Sequence, residues 1–211
     1  MSDVEAVVFD LGGVVFPSPL DVFRAYEREH GLPHRFISEV VLADPEHGAW
    51  GRLERGQLTL DEFCDAFDAE CAAHGGKVDS RDLMQAVAAG LGPRAAMVTA
   101  IGAIRDHGVK TAALTNNWAD DPAKDNRDRP IADWFDVVVE SSVEGLRKPD
   151  PRIYRLVCER LDVPPNAAVF LDDLGANLKP ARELGMTTIK VDDPDAALAE
   201  LESVLGFALA G

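Results

Sequence analysis

The sequence predicts an α/β fold: a doubly wound parallel sheet interrupted once by an all-helical insertion. Three observations carry that expectation. Five short apolar runs, at residues 4–9, 109–114, 135–139, 167–171 and 187–191, have the length and composition of strands. Helical patterns separate the last four, the alternation that yields parallel strands joined by crossovers. Between the first run and the second lies a long stretch, 16–90, with no convincing strand and at least three helical patterns.

The run at 4–9 is nearly unbroken in apolar residues, as suits a strand buried on both faces. In the helical stretch, Thr59-Leu60-Asp61-Glu62 reads as a capping box, in which Thr59 and Glu62 satisfy exposed amides reciprocally. Leu60, Phe63, Cys64, Phe67 and Cys71 then recur at helical spacing and form one buried stripe. Phe16-Pro17-Ser18-Pro19 and Gly90-Leu91-Gly92-Pro93 bracket the stretch as hinges. The charged segment 120–129 reads as a solvated loop between the second and third strands. The fourth run, 167–171, is again almost wholly apolar. A helix is predicted over 177–184, with Pro180 in its first turn and Gly185 as its stop. The last run, Thr187-Thr188-Ile189-Lys190-Val191, alternates and belongs nearer a sheet edge.

The 211 residues suit one large domain or a core with an insertion, and the 46% hydrophobic content is ordinary for a globular chain. The net charge is −16. A body this acidic repels phosphate backbones and anionic lipid, so neither nucleic acid nor a membrane surface is expected as a partner. An anionic small molecule needs a local positive site: a metal ion, a lysine or aimed backbone amides. Cys64, Cys71 and Cys158 match no zinc framework, and Cys64, Cys71 and His74 imitate a metal cluster only loosely. No segment has the length of a membrane span, and the N-terminal apolar run is too short for a signal sequence. A cytoplasmic protein is expected.

In open α/β sheets ligands bind beyond the carboxyl ends of strands. The first run ends in Phe9-Asp10-Leu11-Gly12-Gly13, the second in Leu114-Thr115-Asn116-Asn117, and the fourth in Leu171-Asp172-Asp173. Lys148, within Arg147-Lys148-Pro149, follows the third. The three carboxylates of Asp10, Asp172 and Asp173 would repel one another unless cations offset them, and one lysine is too few. A hard divalent cation with oxygen ligands resolves the conflict, and magnesium (Mg2+) suits a site with few carboxylates and a phosphate supplying the rest. A carboxylate then serves as nucleophile toward phosphorus. The Thr115 hydroxyl and the amides of Asn116 and Asn117 are candidate donors to the phosphoryl oxygens. Singly these are ordinary turn residues; their specificity lies in four clusters in order.

That ordered set, Asp10, Thr115, Lys148 and Asp172-Asp173, resembles the four signature motifs of the haloacid dehalogenase-like (HAD-like) superfamily over essentially the whole chain. Thr115-Asn116-Asn117-Trp118-Ala119-Asp120-Asp121 and the long string from Val169 to Arg182 are most similar to the N-terminal phosphatase domain of soluble epoxide hydrolase. The resemblance implies a Rossmann-like core, residues 1–15 and 91–211, in strand order 5-4-1-2-3, with a small four-helix cap at 16–90. It implies a magnesium-dependent phosphatase acting on a small phosphorylated molecule. Asp10 takes the roles of nucleophile and metal ligand, the Gly12 carbonyl is a second ligand, Asp173 a direct one and Asp172 a supporting one. Thr115 and Asn116 match phosphate binders, and Lys148 matches the charge that steadies nucleophile and phosphate.

One departure stands out. Most phosphatases of this group carry a second aspartate two residues after the nucleophile, where this chain has Gly12. That acid protonates the leaving group, a contribution typically on the order of 10²–10⁴-fold. Two other readings accommodate the glycine. A dehalogenase displaces halide without such an acid, and Ser141-Ser142 ahead of Lys148 is compatible with one. A non-catalytic phosphate-binding relative needs no acid at all.

Overall fold

A computed structural model describes residues 4–90, 92–118 and 130–209. The predicted loop at 120–129, Leu91 of the second hinge and Ala119-Asp120-Asp121 lie outside the described residues.

Five parallel strands form one sheet: β1 (Ala6–Phe9), β2 (Lys110–Thr115), β3 (Val137–Glu140), β4 (Ala168–Asp172) and β5 (Thr187–Lys190). Their order, β3-β2-β1-β4-β5, is the expected one read from the opposite edge. Each strand falls within two residues of its apolar run. β1 is central and buried throughout, while β5 lies at an edge with one buried residue. Register decides what shares the carboxyl edge. Phe9 stands opposite Leu171 on β4 and Ala113 on β2, which brings Asp10 level with Asp172. The Asp10 N–H closes the ladder on the Leu171 carbonyl at 2.9 Å.

Successive strand side chains point to opposite faces, so the sheet divides its apolar residues between two cores. Val7, Phe9, Ala113, Val169 and Leu171 face α6 (Ala95–Asp106) and α10 (Pro194–Leu205). Ala6, Val8, Ala112, Leu114 and Phe170 face α8 (Pro151–Leu161) and α9 (Gly175–Glu183). Both faces are thereby covered, which is what nearly continuous apolar strands require.

The insertion after β1 is helical in all its described elements: α1 (Pro19–Glu29), α2 (Phe36–Ala43), α3 (Ala49–Glu54), α4 (Leu60–Ala73) and α5 (Ser80–Ala88). It closes on its own apolar cluster, in which Trp50 meets Phe23, Phe63 and Phe67 edge-on. The helices number five, not the four implied by resemblance. Pro45 disfavours helix at Asp44, and a Cβ at Gly48 would stand 2.5 Å from the Asp44 carbonyl oxygen, so the chain breaks between α2 and α3. The capping box at the start of α4 forms as predicted, with Thr59 N–H donating to Glu62 Oε2 at 2.9 Å and Glu62 N–H to Thr59 Oγ1 at 3.3 Å. Cys64 and Cys71 are buried in the same core.

Helix α9 starts two residues earlier than predicted, which corrects the placing of Pro180. The chain turns where Leu174 N–H donates to Asp172 Oδ1 at 2.8 Å, and Pro180 falls inside the helix beyond its first turn. Its missing N–H forgoes the bond to the Ala176 carbonyl. A four-residue helix, α7 (Ser141–Glu144), follows β3 and leads to the Lys148 loop. Among the described residues no helix is long and apolar enough to cross a membrane.

Candidate active site

Three strand ends and one loop meet at the carboxyl edge of the sheet. Asp10 leaves β1 with its Oδ1 accepting the Leu11 N–H at 2.7 Å. Lys148, 1% exposed, enters between two carboxylates, its Nζ 2.8 Å from Asp10 Oδ1 and 2.7 Å from Asp172 Oδ2. The ammonium also lies 5.5 Å from the centroid of the Phe170 ring, an added cation–π contact.

The two adjacent aspartates differ sharply in their surroundings. Asp172 is fully buried and accepts from Lys148 Nζ, from Leu174 N–H and, at both oxygens, from Asn177 Nδ2 at 3.1 Å. Asp173 is met by the Ser18 hydroxyl at 3.3 Å. Asp172 is thus saturated by protein donors, whereas Asp173 retains capacity for another cation. Asp10, Asp172 and Asp173 each present an oxygen within 4.8 Å of the others.

Electrostatics follows from that crowding. Burial raises the Asp10 carboxyl well above the usual carboxylate range, against the pull of Lys148 and with a further push from Asp172. Burial and then Asp172 push Asp173 up to about 6. Burial pulls Lys148 down, but Asp10 and Asp172 outweigh it and hold the amine above its ordinary value. One ammonium stabilises two carboxylates and leaves the third short of positive charge.

Thr115 ends β2 as a buried hydroxyl. The Asn116 side chain faces the Lys148 peptide: Oδ1 accepts its N–H at 2.8 Å, and Nδ2 donates to its carbonyl at 3.0 Å. Asn116 therefore clamps the lysine-bearing loop with its side chain. Asn117, expected among the phosphate donors, is turned elsewhere. Its N–H donates to Ser141 Oγ at 2.9 Å, its side-chain amide donates to Glu140, and its Oδ1 accepts from Ser142 Oγ. The chain at Asn117 is bound to the start of α7, which takes that amide away from the cluster.

The two glycines after the nucleophile differ in kind. Gly13 has φ +82°, and a Cβ there would stand 2.2 Å from Asp173 Oδ2, so both conformation and space demand glycine. Gly12 has no left-handed backbone; a Cβ there would meet Pro19 Cδ at 3.2 Å, which a small shift relieves. The acid is missing from position 12 by sequence, not because the backbone forbids it.

Sequence reasoning did not single out Ser18, Asn177 or Glu54. Asn177, one helical turn beyond the aspartate pair, had a local signal; Ser18 and Glu54, both from the insertion, had none. A cavity of about 630 Å³ lies against α4 and α5, beside Asn117 and Trp118. Leu60, Cys64, Met84 and Trp118 give it apolar walls, with Arg81 and Gln85 polar, and Asn117 lines it too.

Over residues 4–185 the chain matches the family model of the haloacid dehalogenase-like hydrolases. It is 41% identical over 209 residues to acyl-CoA dehydrogenase family member 10 of Mus musculus, an alignment covering 97% of this chain and 19% of that protein. It is 36% identical over 219 residues to bifunctional epoxide hydrolase 2 of Rattus norvegicus, covering 96% of this chain and 39% of that protein. The chain thus spans less than half the length of either relative. Its fold matches that of a HAD family enzyme of Bacteroides thetaiotaomicron solved with magnesium and inorganic phosphate, with TM-score 0.62, 20% identity, 89% of this chain and 93% of that one covered.

Proposed function

The chain belongs to the haloacid dehalogenase-like hydrolases, and we propose that it is a magnesium-dependent phosphatase acting on a small phosphorylated molecule through a phospho-aspartate at Asp10. The observation that carries the reading is the cluster of three carboxylates around one buried lysine.

The donor set fits magnesium. It is all oxygen, its members lie within 4.8 Å of one another, and burial, with a further push from Asp172, holds two of the three carboxyls above their ordinary range. Asp10, Asp173 and the Gly12 carbonyl would hold the ion, with Asp172 in support. The ion supplies Lewis-acid neutralisation of the phosphoryl oxygens and of the nucleophile's surroundings. The neighbour of the same fold from Bacteroides thetaiotaomicron, solved with magnesium and phosphate together, supports the pairing.

The chain's own residues do the rest. Leu11 N–H and Lys148 Nζ fix one oxygen of Asp10. The other attacks phosphorus, a P–O bond forms, and the bond to the leaving oxygen breaks with its electron pair going to that oxygen. Thr115 and the Asn116 N–H donate to the phosphoryl group, and Lys148 balances its charge. Water then attacks the phosphorus of the acyl phosphate, releasing inorganic phosphate and restoring Asp10. No side chain at position 12 protonates the leaving group, so good leaving groups are favoured. Residues 16–90 act as a cap over the 1–15 and 91–211 core.

The test is hydrolysis of p-nitrophenyl phosphate and acetyl phosphate with magnesium and with EDTA. Turnover that EDTA abolishes supports the reading. Undiminished turnover in EDTA overturns it, and halide release from 2-haloacids then becomes the assay.

A further inference from the structure

Glu54 closes α3 at the edge of the insertion, 7% exposed. Its carboxylate draws together three groups from different parts of the chain. Trp50, one turn back on the same helix, donates Nε1–H to Oε1 at 3.0 Å. Arg147 brings Nε to 2.6 Å from Oε2, a contact ion pair made off the hydrogen-bonding angle. Asn116 Nδ2 reaches Oε2 at 3.4 Å. The last two are core residues, and both abut Lys148. Arg147 is its covalent neighbour, and Asn116 holds both polar groups of its peptide.

The surroundings make this a docked seam. Arg147 Nη1 donates to the Pro45 carbonyl of the insertion at 2.8 Å. Gly56, at φ +66°, packs so closely on the core that a Cβ would stand 2.4 Å from the Ser142 carbonyl oxygen. Trp50 also meets Trp118, just beyond β2, edge-on at 6.1 Å between centroids. The insertion is therefore pinned beside the loop that carries Lys148.

We propose that Glu54 is a positioning residue: through Arg147 and Asn116 it makes the seating of the insertion on the core set where the Lys148 ammonium stands. Lys148 sits nearly equidistant from Asp10 and Asp172, so a small displacement of its loop trades one contact against the other. Misplacement by about an ångström commonly costs on the order of a hundredfold in rate. Glu54 itself, occupied by Trp50, Arg147 and Asn116, supplies no proton to the reaction; it acts through Lys148. The part of the proposal that concerns turnover rests on the phosphatase reading.

Two readouts on the full chain test it, one of them independent of activity. The variants are Glu54→Gln, which keeps the shape and an acceptor for Trp50 but removes the charge, and Ile37→Val, which removes packing from the insertion's core. Glu54→Gln should lower kcat for p-nitrophenyl phosphate by roughly ten- to a hundredfold with KM changed by less than about threefold. In an Asn116→Ala background the same change should cost less than in the wild type, because one of its two routes is already cut while that through Arg147 remains. Hydrogen exchange at the Lys148 backbone amide, which donates to Asn116 Oδ1, should speed up by about tenfold in Glu54→Gln beyond any change in Ile37→Val. Unchanged kcat per folded molecule, or Lys148 exchange no faster than in Ile37→Val, overturns the proposal. Should Glu54→Gln fail to fold, Glu54→Asp, which keeps the charge but withdraws it, is read by the same two measurements. If the wild type hydrolyses no phosphate ester yet Lys148 exchange responds as described, the linkage stands and the phosphatase reading is what fails.

Discussion

The cluster of Asp10, Lys148 and Asp172 is assembled by the sheet, whereas the seam of Glu54, Arg147 and Asn116 is assembled by two surfaces that meet. In the first, strand register alone sets Asp10 level with Asp172, and both lie where ligands of open sheets bind. In the second, Arg147 reaches a carbonyl 102 positions away, and no local pattern specifies the meeting. Their charge balance also differs. The sheet cluster sets three carboxylates against one ammonium. The seam sets one guanidinium against one carboxylate, charge for charge. A site short of positive charge is built to bind; a neutral pair is built to hold.

The largest expected effect belongs to the sheet cluster. Asp10→Asn should remove turnover by at least about a thousandfold, because it deletes the attacking oxygen rather than displacing a helper. The change also withdraws one like charge from a crowded site while Lys148 keeps Asp172, so metal-free melting temperature should hold or rise. Comparable activity in the variant would put the chemistry elsewhere and break the distinction between cluster and seam.

Asp173→Asn comes next, with about a ten- to hundredfold loss of magnesium affinity measured by titration calorimetry. Its pH signature is equally specific. The Asp173 carboxyl is pushed up to about 6 in the folded chain, so folding is favoured by its proton. That contribution is complete below the ordinary carboxylate range and is lost as pH rises through about 6. Without metal, the wild type should therefore lose stability relative to Asp173→Asn across that window, by about 1–2 kcal/mol once partial exposure is discounted. Saturating magnesium should erase the difference, and a difference that grows toward low pH instead would refute the assignment.

Much of this was legible in the sequence, for a physical reason. Strand runs are local, and residues that follow them inherit their place from the backbone; hence Asp10, Thr115 and Asp172 stand at strand ends as predicted. Lys148 was placed by order along the chain and lies where the cluster needs it. What was not legible depends on tertiary partners. The amide of Asn117 was expected to face the site, but Ser141 claims it. Pro180 looked like a first-turn residue because the turn Asp172 induces at Leu174, which starts α9 early, leaves no sequence mark. Glu54 carries no distinguishing mark in the sequence, and only its meeting with Arg147 sets it apart.

A smaller effect is expected at position 12, between the two regions, where a side chain would project from the nucleophile loop toward Pro19 at the insertion's start. In the wild type, rate should fall steeply as leaving-group pKa rises, so aryl and acyl phosphates should be much better substrates than alkyl phosphates. Because Gly12 needs no left-handed backbone, Gly12→Asp should fold and gain about ten- to a hundredfold on alkyl phosphates alone. A shallow slope in the wild type would mean that another group, or the substrate, already supplies the proton.

The most direct measurement is of the covalent bond itself. The protein is mixed with magnesium and acetyl phosphate, quenched in acid within milliseconds, digested and examined by mass spectrometry. One phosphoryl group should appear on the peptide containing Asp10, should be absent in Asp10→Asn, and should vanish when the quench is delayed past turnover. Rapid phosphate release with no labelled Asp10 at any quench time, or label on another residue that persists in Asp10→Asn, would contradict the account.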